Sequence, residues 1–267
     1  MTLNSIAAQI RYTLCDVSSQ TKTPHLGSCL SCVDILTVLY WRTMHITPNN
    51  PANPERDYFL LGKGHAASAL YTTLAYRDYF SPSALYEHGQ TGSQFEEHPG
   101  IHAPAGVETV SGSLGHALSL ATGMALSKQL QGAKNRFYVL MGDGEINEGT
   151  VWEAAMFAAG KRLSNLVAIV DFNKLQGTGE STEIMHLEPL EEKWRAFGWH
   201  TMRVDGHDLG ALEQALEAAK SIQQPVCIVA DTVKGKGVSF MENDNNWHYR
   251  IPTEEEVAQA KQELGIS

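Results

Sequence analysis

An aspartate flanked by two glycines closes the apolar run "FYVLMGDG" (137–144), and an asparagine closes another apolar run 30 residues later, in "NLVAIVDFNKLQG" (165–177). The carboxylate of Asp143 and the side-chain carbonyl of Asn173 are hard oxygen donors. Together with a backbone carbonyl they would fill three corners of an octahedral magnesium ion, leaving the remaining corners for diphosphate oxygens and water. Gly144 lets the backbone approach an anion closely, and the helical pattern that follows points its first amides the same way. A tight Asp-Gly turn is the competing reading of Asp143. Its hairpin form fits poorly, because a helical pattern follows rather than a second strand. Familiar phosphate loops do not match: Asn147 stands where a dinucleotide fingerprint needs its third glycine, and no lysine lies nearby for a P-loop.

Histidine supplies the second set of candidates. His25, His65 and His98 are each flanked by Gly or Pro, and His248 sits in the polar stretch "ENDNNWHYR". Imidazole titrates near neutrality and suits chemistry that moves protons on and off oxygen. Loop placement favours function over packing for these four. His45, His88, His186, His200 and His207 carry no such signature. His98 and His102 are spaced like a zinc pair on a helix, but Pro99 and Gly100 break that helix and no zincin glutamate accompanies them. Cys29 and Cys32 form a lone CxxC inside an apolar helical pattern, which reads as a packed helix face rather than a zinc or redox site.

The elements that must position these groups read as strands at 57–61, 136–141, 165–172, 200–205 and 225–231. Helical patterns occupy 64–79, 113–131, 146–160, 188–197 and 208–221. Strands alternating with helices imply a three-layer αβα fold of the α/β class with a mainly parallel sheet. In such sheets ligands bind beyond the carboxyl ends of the strands. Asp143, Asn173 and the glycine-rich "KGKG" (234–237) all fall there. The first 43 residues read as two helices split by "SQTKTPHLGS", and 89–111 is a long irregular segment rich in Gly, Pro and His. Segments of that length inside a compact domain are usually functional or disordered.

The 267 residues suffice for one large domain. A formal charge of −10, from 20 basic and 30 acidic residues, disfavours nucleic acid and anionic membranes as partners. No apolar run approaches the roughly 20 residues of a membrane span. The N-terminus has no secretory pattern, and the four cysteines follow no paired spacing, so a reducing cytoplasm is expected.

In order along the chain, "TPHLGSCLS", "LGKGHAASALY", "EEHPG", "VETVSGSLGHALSLATGMAL", the "GDG…N" pair and "DTVKGKGVSFMENDNNWHYR" resemble the motifs of the transketolase family, and the resemblance runs through almost the whole chain. The family often carries Gly-Pro-Leu-Gly where this chain has "GSLG", and Phe172 takes the place of a second polar residue at the asparagine turn.

The resemblance implies thiamine diphosphate held through magnesium, with calcium or manganese as chemically acceptable substitutes. By the same resemblance Asp143, Asn173 and the Leu175 carbonyl bind the metal, and Gly144, His65 and His248 contact the diphosphate. Gly112 and Leu114 lie along the cofactor's rings. His25, His98 and His248 line the substrate channel, and Glu148 reaches toward a partner subunit. The family's pyrimidine-binding and C-terminal domains are not matched in 1–267, so a C-terminal transketolase subunit is expected on a separate chain. The expected assembly is a heterotetramer transferring a two-carbon ketol unit between sugar phosphates. Two other readings are weighed beside it. One is a 1-deoxyxylulose-5-phosphate synthase-like or 2-oxoacid dehydrogenase-like subunit, and the other is a cofactor-binding module without turnover.

Overall fold

The computed structural model describes residues 1–266. Five strands form one wholly parallel sheet: β1 (Tyr58–Leu61), β2 (Phe137–Gly142), β3 (Leu166–Phe172), β6 (His200–Asp205) and β7 (Val226–Asp231). They lie in the order β1-β2-β3-β7-β6. A two-stranded hairpin, β4 (Leu175–Gln176) with β5 (Gly179–Glu180), follows β3 and was not legible in the sequence. It is too short to show a period.

Every residue of β2 and β3 is buried, as the unbroken apolar runs require of strands covered on both faces. Alternation sorts their side chains into two cores. Tyr138, Leu140, Val167 and Ile169 meet α1 (Leu3–Thr21), α2 (Leu26–Ser31), α3 (Val33–Val38) and α4 (Ala67–Tyr76), joined by α9 (Leu209–Ala219) and α10 (Glu254–Glu263). Phe137, Val139, Met141, Ala168 and Val170 meet α5 (His116–Leu130), α6 (Gly149–Gly160) and α8 (Leu190–Ala196). A short α7 (Ser181–Ile184) follows the hairpin. Burying each such side chain stabilises by about 1.5–3 kcal/mol, so the two runs fix the centre of the three-layer αβα sandwich.

Three expected helices begin late. The segment at 64 opens with a 3-10 turn before α4, that at 146 follows a 3-10 turn over Glu145–Asn147, and α5 waits for Gly115 at φ +85°. The first two delays leave loop backbone at a strand end. The N-terminal region holds three α-helices rather than two, with His25 at φ +68° before α2 and a break at Cys32 between α2 and α3. Cys29 and Cys32 are buried on that packed face. Burial pushes the Cys29 thiol up to about 11, so it is an inert thiol. Among the described residues no helix is long and apolar enough to cross a membrane.

Candidate active site

Because the strands are parallel, four of them deliver their following residues to one edge: Lys63 after β1, Asp143 after β2, Asn173 after β3 and Lys234 after β7. A cavity of about 260 Å³ opens there. Its walls include Ser28, Lys63, His65, Leu114, the turn Gly142–Glu145, Asn173, Leu175–Gly177 and His248.

Asp143 is buried. Its Oδ1 accepts from the Gly144 amide (2.9 Å) and its Oδ2 from Ser181 Oγ (2.7 Å). Burial raises its carboxyl to about 6 despite those two bonds. A carboxylate so placed gains from a cation more than a solvated one does. Asn173 Nδ2 reaches Ser31 Oγ (3.4 Å) and its Oδ1 accepts from the Leu175 amide (3.1 Å), which fixes the direction of the side-chain oxygen. Asp143, Asn173 and the Leu175 backbone thus bring hard oxygen donors to one cavity, as a hexacoordinate magnesium requires.

The turn beside them is shaped for close approach. A Cβ on Gly144 would press on Gln176 at 3.2 Å, and one on Gly64 would lie 2.6 Å from the Gly112 amide. Glu145, buried under the turn, accepts from the amides of Gly115 (3.1 Å) and Gly142 (3.2 Å). It thereby ties the start of α5 to the end of β2. Burial raises its carboxyl to about 7. Asn147 Nδ2 donates to Gln176 Oε1 (3.1 Å), while Asn147 Oδ1 and Gln176 Nε2 are buried with no protein partner. Buried polar atoms left this way need a ligand or water. Lys234 adds positive charge, whereas the Lys63 charge is paired with Asp171; burial, with Lys63 nearby, pulls the Lys234 ammonium down to about 8. Oxygen donors, glycine-lined backbone, the unpartnered Gln176 Nε2 and Lys234 fit a metal-bound diphosphate.

The histidines converge on the same edge. The His25 ring lies 5.4 Å from that of His65, 5.9 Å from His98 and 4.8 Å from His248. Burial and Lys63 hold His65 well below the ordinary imidazole range, and burial with Lys234 lowers His248 to about 4. Both rings are therefore neutral at pH 7 and able to donate or accept.

Among the sequence candidates, His65, Leu114, Asp143, Gly144, Asn173, Leu175 and His248 line the cavity. His25 and His98 adjoin it through the ring contacts. Gly112 lies between Gly64 and His98, beside the cavity wall at His65. Glu148 does not line the cavity: it is exposed at the start of α6, where a Cβ on Gly115 would sit 2.6 Å from its own Cβ. Lys63, Glu145, Gln176, Ser181 and Lys234 were missed. The lysines carried the only usable signal, since each follows a strand beside glycine.

The family model for "Transketolase, thiamine diphosphate binding domain" matches residues 2–267. The chain belongs to the transketolase family. Its relatives include the 6-deoxy-6-sulfo-D-fructose transketolase subunit of Clostridium sp. (strain MSTE9), 45% identical over 241 residues, covering 90% of this chain and 88% of that protein. An apulose-4-phosphate transketolase subunit from Phocaeicola vulgatus is 39% identical over 267 residues, covering 98% and 94%. Human transketolase is 37% identical over 248 residues, covering 92% of this chain but 39% of its own length. The crystal structure of transketolase from Campylobacter jejuni superposes with a TM-score of 0.93 at 30% identity, covering 99% of this chain and 43% of that one. The chain therefore spans most of the length of the subunit relatives and about two fifths of the longer transketolases. These relatives favour transketolase over the synthase-like, dehydrogenase-like and non-catalytic readings.

Proposed function

We propose that this chain is the diphosphate-binding subunit of a two-chain transketolase, which transfers a two-carbon ketol unit from a ketose phosphate to an aldose phosphate. The observation that carries it is the cavity at the carboxyl edge of the sheet, where Asp143, Asn173 and Leu175 meet Gly144, His65 and His248. Thiamine diphosphate, when bound, supplies the carbanion chemistry and the electron sink. Asp143, the Asn173 side chain and the Leu175 carbonyl hold magnesium. Gly144, His65 and His248 bind the diphosphate, with Lys234 adding positive charge beside it. Gly112 and Leu114 lie along the rings. His25, His98 and neutral His248 exchange hydrogen bonds and protons with the sugar's hydroxyl and carbonyl oxygens.

A partner subunit completes the site in this reading. Related proteins of similar length are named as subunits, and longer transketolases have more than half their length beyond the matched region. Leu120, Met156 and Phe157, exposed on α5 and α6, offer an apolar face, and Glu148 caps the start of α6. That face suits burial against the partner, with Glu148 at its rim, in a heterotetramer. The donor is a sugar of the kind named for the subunit relatives, a sulfonated or branched ketose, or an ordinary pentulose phosphate.

Purified alone, the chain is expected to give no ketol transfer with magnesium and thiamine diphosphate present. With its copurified partner, transfer to an aldose phosphate is expected from at least one ketose in a donor screen. Robust activity of the single chain would contradict the two-chain reading. Pyruvate consumption by the pair would favour a synthase-like activity instead.

A further inference from the structure

We infer that His25, Glu97 and His98 form a second cation site, for a transition-metal ion such as Zn²⁺, distinct from the magnesium position. One ligand atom from each residue lies within 4.8 Å of the other two. A zinc ion bound by imidazole nitrogen and carboxylate oxygen holds its ligands about 2.0–2.2 Å from the metal, hence roughly 3.3 Å from one another in a tetrahedron. His25 Nε2 and Glu97 Oε1 already stand 3.1 Å apart. The remaining gap, within 4.8 Å, is to the His98 nitrogen, and Glu97, whose side chain is 47% exposed, can adjust as it closes.

The three groups also make little use of their side-chain polar atoms within the chain. Among the described residues, the His25–Glu97 bond is the only side-chain hydrogen bond any of them makes. His25 Nδ1 is buried with no partner. A metal would replace that one bond and break no other. His25 itself is held at φ +68° ahead of α2, and Pro99 follows His98, so both rings project from stiffened backbone.

Ligand type separates this site from the one at Asp143. Two imidazoles and a carboxylate suit zinc, nickel, cobalt or copper, whereas magnesium prefers oxygen throughout. Three protein ligands leave a position open, as at metal sites that exchange a ligand. The helix pair His98–His102 is not the arrangement: His98 finds its partners on the α2 loop and at its own neighbour. An ion bound here takes up both His25 and His98, so it would compete with sugar. That consequence, unlike the binding itself, rests on the channel reading above.

The test is calorimetry of Zn²⁺ into the full chain in saturating magnesium, with Co²⁺ absorption as an independent reading of tetrahedral coordination. One tight equivalent is expected. Glu97→Gln and His98→Ala should each weaken it by at least about 100-fold, since losing even an outer-shell partner costs 10–100-fold. Asp143→Ala should leave it unchanged. The site is overturned by no saturable zinc binding, by binding that both ligand variants retain, or by binding lost in Asp143→Ala. Zinc inhibition of the reconstituted pair that donor sugar relieves supports the competition. Tight binding without inhibition removes the competition and leaves the site.

Discussion

Asp143→Ala is expected to abolish magnesium-dependent binding of thiamine diphosphate while leaving the fold intact. The carboxylate is 3% exposed and desolvation has already raised it to about 6, so the folded chain gains little from its charge. Its deletion loses two hydrogen bonds, from Gly144 and Ser181, worth about 1 kcal/mol each. Removing a desolvated charge offsets part of that loss. Thermal unfolding of the apo chain should therefore shift by only a few degrees. The effect on binding is of another size. Asp143 is the sole anion in the proposed donor set, and Asn173 and Leu175 bring only neutral oxygen. Cofactor affinity should fall at least about 100-fold, beyond the usual cost of disturbing an outer shell alone. Calorimetry of the cofactor with and without magnesium, for parent and variant in complex with the partner, measures it. Parent-like binding by the variant would place the metal elsewhere.

What the sequence made legible follows from where the physics is local. β2 and β3 were readable because both faces are covered, so the apolar runs are unbroken, and the one-residue offset of β2 arises because Gly142 still pairs with Asp171. Strand ends in a parallel sheet share an edge, so Asp143 and Asn173 could be brought together from sequence alone. Helix starts were misplaced where a turn wound differently, as at Glu145–Asn147. Nothing in the local pattern marks a 3-10 turn beside a buried glutamate. Contacts across long sequence separations were invisible. Asp171 reads as one more residue of an apolar strand, yet its side chain meets Lys63, 108 positions upstream. Glu97 stands out in the sequence only as part of "EEHPG", and only the fold brings His25, 72 positions away, against it.

That Lys63–Asp171 pair underlies the second large effect: Asp171→Ala should cost about 3–5 kcal/mol of stability, the usual result of leaving a buried charge without its partner. Asp171 is fully buried and Lys63 is 1% exposed. Asp171 Oδ2 accepts from Lys63 and from Ser31 Oγ (2.6 Å), and its Oδ1 accepts from Thr232. Burial alone would pull the Lys63 ammonium down, but Asp171 beside it holds it above the ordinary lysine range. Without the carboxylate only burial remains, and the ammonium keeps the Ser28 carbonyl (2.9 Å) and a long contact to Ser31. Urea denaturation of the apo chain should resolve the loss, and a change below about 1 kcal/mol would mean the pair is no charged clamp. Combining Asp171→Ala with Lys63→Met should recover most of the stability, because an apolar pair carries no desolvation penalty. Lys63 also lines the candidate cavity, and Ser31 links Asp171 to Asn173. The rescued double variant should therefore fold well and still bind the cofactor more weakly than the parent. A double variant that binds like the parent would make the pair purely structural. Stability regained without affinity would assign the pair to shaping the cofactor cavity as well.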